Sequence, residues 1–153
     1  MLILNIQMKN LLSDISACNT VKTDEYKIIK KENAGGKAYF CAHEPCLGYV
    51  MPENDCLTDF EWDTNEVYHE HDDIKSSIAH GLAIKNAWKK QMELDFPETA
   101  FDIFMSADIG DEEIPPSVTL RFHAVRDGVH YIKPTQEEID KFSQPLLMEK
   151  VNY

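Results

Sequence analysis

His123 stands in the alternating run Val118-Thr119-Leu120-Arg121-Phe122-His123-Ala124, and Asp102 and Asp108 stand in a similar run upstream. An imidazole within hydrogen-bond reach of a carboxylate is the pairing that general-base catalysis uses, the carboxylate orienting the ring. The chain supplies no companion for it. Ser76, Ser77 and Ser106 lie in no nucleophile-elbow context, and neither a phosphate-binding glycine loop nor a dinucleotide fingerprint occurs, so no catalytic residue is assigned and no cofactor is expected. Arg121 has a simpler use, a cross-strand ion pair with the acidic strand beside it.

The second grouping is Cys41-Ala42-His43-Glu44-Pro45-Cys46. Thiolate and imidazole are the ligands zinc prefers, and His69 and His71 further on could complete a set with Cys41, His43 and Cys46. The spacing does not follow the paired two- to four-residue gaps of structural zinc sites, so zinc is an alternative and a core role for the cysteines is the first reading. The acids of Ile109-Gly110-Asp111-Glu112-Glu113-Ile114-Pro115-Pro116-Ser117 do not follow the alternation of a calcium loop. The Pro-Pro pair there suits a stiff loop that presents its acids to a partner.

The elements that must position these residues follow from periodicity. Ile74, Ile78, Leu82, Ile84, Trp88 and Met92 recur near helical spacing behind Asp72 and Asp73, which predicts a long helix over 72–96 ended by Pro97. Gly81 inside it implies a close approach to whatever the helix covers. Phe101, Ile103, Met105 and Ala107, then Val118, Leu120, Phe122 and Ala124, alternate with mostly polar residues and predict two strands over 101–125. Upstream, residues 1–24 hold a short helix over 8–18. Tyr26–Lys31 and Lys37–His43 predict a hairpin around Asn33-Ala34-Gly35-Gly36. Leu47–Met51 and Cys56–Trp62 predict a second strand pair, making 25–62 a meander. Val129–Ile132 reads as a short edge strand. Thr135-Gln136-Glu137-Glu138 has the capping-box pattern and starts a C-terminal helix expected over 135–148. The sum is one α+β domain over 1–153, with a mainly antiparallel sheet of five to six strands, one long central helix and a C-terminal helix.

Charge is the strongest compositional signal. The 153 residues carry 27 acids against 15 lysines and arginines, a formal net charge of -12. Such a surface opposes direct binding to nucleic acid or to anionic membranes, whose affinity comes from cations neutralising phosphates. The acids are concentrated: residues 38–74 and 91–120 contain no lysine or arginine, yet hold 18 of the 27 acids. Aromatic residues are interleaved with the first window. A focused negative field speeds association with a basic protein, and exposed aromatics supply the anchors. The residues expected to bind a partner are therefore Asp59, Glu61, Trp62, Asp63, Tyr68, Asp111, Glu112 and Glu113. In style the chain resembles immunity proteins, which are often single acidic α+β domains without catalytic motifs. That resemblance implies an inhibitor of a basic toxin or nuclease. The alternatives are a zinc-dependent or zinc-stabilised domain and a subunit that self-associates through strand edges. With no signal-peptide pattern at Met1–Gln7 and no apolar run long enough for a bilayer, the expected location is cytoplasmic.

Overall fold

The computed structural model describes residues 1–13, 15, 26–42 and 56–153, and their architecture is α+β. In chain order the elements are β1 (Leu2–Leu4), α1 (Ile6–Leu12), β2 (Ile29–Glu32), β3 (Ala38–Cys41), α2 (Leu57–Thr64) and β4 (Val67–Glu70). Then come α3 (Ile74–Asp95), β5 (Phe101–Asp108), β6 (Ser117–Ala124), α4 (Gln136–Asp140) and β7 (Leu146–Val151). Five strands form an antiparallel sheet in the order β1-β7-β5-β6-β4, and β2 pairs with β3 in a separate two-stranded sheet.

The long helix forms where periodicity placed it. Asp73 is its N-cap, its carboxylate accepting from the Ser76 amide at 2.8 Å, and the helical run stops two residues short of Pro97. Its buried face, Ile78, Ile84, Trp88 and Met92, meets Ile103, Met105, Leu120 and Phe122 of the sheet in the main core. A Cβ on Gly81 would lie 2.7 Å from Met105 Sδ and 3.2 Å from Val118 Cγ2, so its absence is what lets helix and sheet come this close. Lys85 and Lys89 both reach Glu149 on β7, a second tie between the same layers.

The opposite face of the sheet carries a smaller core. Ile3, Phe104, Leu146 and Met148 meet Ile139 of α4, with Trp62, Ile132 and Phe142 packed on them. The β2–β3 hairpin turns through Asn33, whose side-chain oxygen accepts from Gly35 and Lys37.

Four expectations change. Cys56–Trp62, expected as a strand, lies mostly in α2. A buried carboxylate on that helix, Glu61, bonds strand backbones on either side, so tertiary contacts override the β-like composition. The C-terminal helix begins at the Thr135 cap as expected but spans only Gln136–Asp140. Leu146, Leu147 and Met148, expected at the end of that helix, belong to β7, which lies between β1 and β5. Val129–Ile132 contributes a single bridge, Arg126 to Val129, in place of a strand. The strands β1 and β4 had no counterpart in the sequence reading. Leu47–Met51 lies outside the described residues.

Candidate functional site

Strand register brings the two acidic windows together. Glu70 on β4 and Asp108 on β5 both oppose Ser117 on the intervening β6, so the three residues form one row across the sheet. Residues directly opposed in an antiparallel ladder share a face, and neighbouring strands lie about 4.8 Å apart, which puts the two acids roughly 10 Å apart on one side. Tyr68, half exposed, is on that same side and donates its phenol to Glu70 Oε1 at 2.6 Å. The acceptor carboxylate raises the phenol's pKa, with Asp108 adding to the effect.

The 109–116 loop continues this acidic end. Gly110 adopts φ +73, and a Cβ there would lie 2.5 Å from the Ile114 carbonyl, so the tight turn requires glycine. Asp108 Oδ1 accepts from the Gly110 amide, and Asp111 Oδ1 accepts from the amides of Glu113 and Ile114. Those amide bonds hold the Asp111 carboxyl below its ordinary range. The carbonyl of Pro116 takes bonds from the His71 amide and the Ser77 hydroxyl, pinning the loop to β4 and α3. The side chains of Glu112 and Glu113 are exposed and make no hydrogen bond or ion pair among the described residues, while Ile109 and Ile114 project beside them. The result is a loop held by the Asp108 and Asp111 carboxylates, in which Glu112 and Glu113 are left uncommitted.

The remaining residues expected at a partner surface divide. Asp59 and Asp63 are exposed on α2. That helix lies against the Arg121–Ala124 end of β6, which is four to seven residues of strand, about 13–23 Å, from Ser117. Trp62 is half buried: its ring stacks on Tyr131 at 4.0 Å and meets Phe104 edge-on, with the Arg121 guanidinium above it. Glu61 is a correction. It is fully buried, and its oxygens accept from the amides of Phe40 (2.8 Å) and Ala124 (2.7 Å) and from both terminal nitrogens of Arg126. Burial pushes its carboxyl upward, against the opposing pull of Arg126 and the two amides. Such a group joins the hairpin to the sheet and offers nothing to a partner.

The histidine–aspartate pair is partly realised. His123 and Asp102 are direct cross-strand partners, both fully buried, yet His123 Nε2 is 3.6 Å from Asp102 Oδ2. His123 Nδ1 lies 3.2 Å from the Ala124 carbonyl and Nε2 accepts from the Tyr131 amide at 3.4 Å. These partners suit the neutral ring with its proton on Nδ1, and burial holds its pKa below the ordinary value. Asp102 instead binds His130 Nδ1 at 2.6 Å and accepts from the Tyr153 phenol, neither of which the sequence pointed to. Asp108 lies at the acidic end, away from His123. Arg121 pairs with Glu66, in the segment before β4, in place of an acid on β5.

Of the zinc alternative, His43 and Cys46 lie outside the described residues. Cys41 is buried among Tyr39, Leu57 and Phe60, and burial raises its thiol to about 11, so it is protonated at neutral pH. His69 stacks on His80 at 4.0 Å, and His71 Nε2 is 3.1 Å from His80 Nδ1. Among the described residues, no three His, Cys, Asp or Glu side chains are placed to share a metal ion. Nor is any described helix long and apolar enough to cross a membrane.

Sequence reasoning missed Glu70 and Asp108 as members of the acidic row. The available signal was the alternation of Tyr68, His69 and Glu70, a strand pattern too short to recognise alone. Compared with family models, with characterised proteins and with solved structures, the chain matches none.

Proposed function

We propose that this chain is a cytoplasmic protein-binding protein whose acidic end engages a basic protein, most concretely as an immunity-type inhibitor of a toxin or nuclease. The observation that supports the reading is the row Glu70–Ser117–Asp108, which joins the two basic-poor windows beside a rigid loop carrying Glu112 and Glu113. Rigidity matters because ordering a loop on binding opposes affinity, and here the Asp111 and Pro116 bonds have already ordered it. Tyr68, Ile109 and Ile114 are the exposed apolar groups that such an interface would desolvate. Glu70, Asp108, Glu112 and Glu113 supply the field that steers a cation-rich surface. Asp59 and Asp63 would add to that field from α2 without touching the same patch. Direct contact with nucleic acid or an anionic membrane is disfavoured by the same charge.

The test is capture from a lysate of the source organism on immobilised protein, washed at low and then at high salt. A basic protein held at low salt, released at high salt and not held by the Glu112→Gln/Glu113→Gln variant is expected. Identical retention by the variant would overturn the reading.

A further inference from the structure

We propose that the groove on the sheet face opposite α3 binds a small aromatic carboxylate, with its carboxylate on Arg121 and its ring against Trp62, Phe104 and Phe142. The groove encloses about 480 Å³, within the span of roughly 300–1,000 Å³ that small-molecule sites occupy. Its floor is made by the paired strands β5 and β6, each hydrogen-bonded to a further strand on its other side, so the site is built on the least deformable part of the fold.

The polar groups converge. Ser106 and Thr119 oppose each other in register, half exposed, and their hydroxyls make no hydrogen bond among the described residues. Arg121 lies two residues along β6 from Thr119. One of its terminal nitrogens donates to the Trp62 carbonyl at 3.0 Å and the other to Glu66. The Glu66 side chain is 41% exposed, and it already occupies the place of a carboxylate on the guanidinium fork. An incoming carboxylate would take over the charge-assisted bond from that second nitrogen, gain the Thr119 and Ser106 hydroxyls, and displace Glu66 from the guanidinium.

The walls set the rest of the ligand. Trp62 is held by its stack on Tyr131 and by Phe104, so its ring is fixed before anything binds. A flat ring entering between these aromatics gains area and edge-to-face contacts. With Glu66 displaced, Arg121 is one cation facing one anion, which suits a monocarboxylate and leaves a phosphate dianion undercompensated. Two further cavities of similar size among the described residues lack this wall: the one of 470 Å³ has Lys37 and Arg126 but no aromatic side chain in its lining, with Arg126 committed to the buried Glu61, and the one of 420 Å³ contains no cation. The proposal is independent of whether the acidic end binds a protein.

The experiment is titration of the ¹⁵N-labelled full chain with phenylacetate, phenylacetamide, acetate and inorganic phosphate, followed by NMR. Saturable shifts are expected for phenylacetate alone, confined to the Trp62 indole and the amides of Phe104, Ser106, Thr119 and Arg121. Glu66→Gln should tighten phenylacetate severalfold, Thr119→Val should weaken it severalfold, and Arg121→Gln should weaken it by about tenfold or more. Each variant's spectrum away from the groove reports that it is folded. N-acetylphenylalanine, with the ring and carboxylate of a peptide C-terminus, separates two sources: tighter binding than phenylacetate assigns the site to a peptide end, weaker binding to a free acid. The proposal is overturned if neither the wild type nor Glu66→Gln shows saturable shifts. It is equally overturned if phenylacetamide binds as well as phenylacetate, or if folded Arg121→Gln binds unchanged.

Discussion

Truncating Glu61 to alanine is expected to destabilise the fold by about 3–5 kcal/mol, the range for removing one partner of a buried ion pair. The structure supports a figure in that range. The side chain is fully buried and satisfies the amides of Phe40 on β3 and Ala124 on β6, as well as Arg126. Each amide left without an acceptor costs about 1–3 kcal/mol, whereas Arg126, whose side chain is 26% exposed, recovers part of its loss from water. Glu61→Gln keeps the shape and one acceptor but turns an amide nitrogen toward a donor, so it should cost less, about 2 kcal/mol. The assay is urea unfolding followed by circular dichroism, with Asp59→Ala and Asp63→Ala as surface controls expected to stay within about 0.5 kcal/mol of wild type. A loss below about 1 kcal/mol for Glu61→Ala, or a loss as large for Asp63→Ala, would refute the assignment. Charge reversal at Glu61, which the sequence alone places at a partner surface, should instead unfold the protein.

Three further outcomes follow from the geometry. His123 is held neutral, so between its ordinary value near 6.5 and its lower folded value the unfolded chain binds the extra proton. Stability should therefore fall as pH drops below about 6.5, with a slope from this group of at most about 1.4 kcal/mol per pH unit. His123→Phe should remove that slope in pH-dependent urea melts, and an unchanged slope would count against a neutral buried ring. Burial alone would raise the Glu149 carboxyl, but bonds from Lys85 and Lys89 outweigh it and hold the pKa low. That contribution should be complete above about pH 4.5 and lost as pH falls through the depressed value, so Glu149→Gln should be destabilised at pH 7 and show a flatter acid limb. Gly110→Ala should cost about 1–3 kcal/mol by thermal melting, because a side chain there combines a left-handed φ with a clash against the Ile114 carbonyl. A neutral outcome would mean that the loop is softer than its bonds imply.

The legible parts of this fold were those written in local period. The long helix, its Asp73 cap, the two strands after it and the Asn33–Gly36 hairpin turn each carry their own signal. Gly81 even announced the close approach that Met105 and Val118 make necessary. What could not be read depends on partners distant in sequence. The run Leu57–Thr64 is helical because Glu61 has strand amides and Arg126, 65 residues away, to bind. The run Leu146–Val151 is a strand because β1 and β5 flank it, and nothing in Pro145-Leu146-Leu147 distinguishes that from a last helical turn. The candidate site divides in the same way. Asp111, Glu112 and Glu113 were visible as an acid run before a stiff proline pair. Glu70 and Asp108 became part of the row only through the register of both strands on Ser117. The His123–Asp102 pairing was readable from strand alternation, but not His130 and Tyr153, whose approach to Asp102 depends on the segment after β6 and on the chain beyond β7.

On the proposed function, the acidic end and not the overall charge recognises a basic partner. The most direct measurement compares lysate capture by two variants of equal net charge: Glu112→Gln/Glu113→Gln at the loop and Asp59→Asn/Asp63→Asn on α2. The loop variant should lose a basic protein that both the wild type and the α2 variant retain at low salt. Equal retention by the two variants, or equal loss, would contradict it.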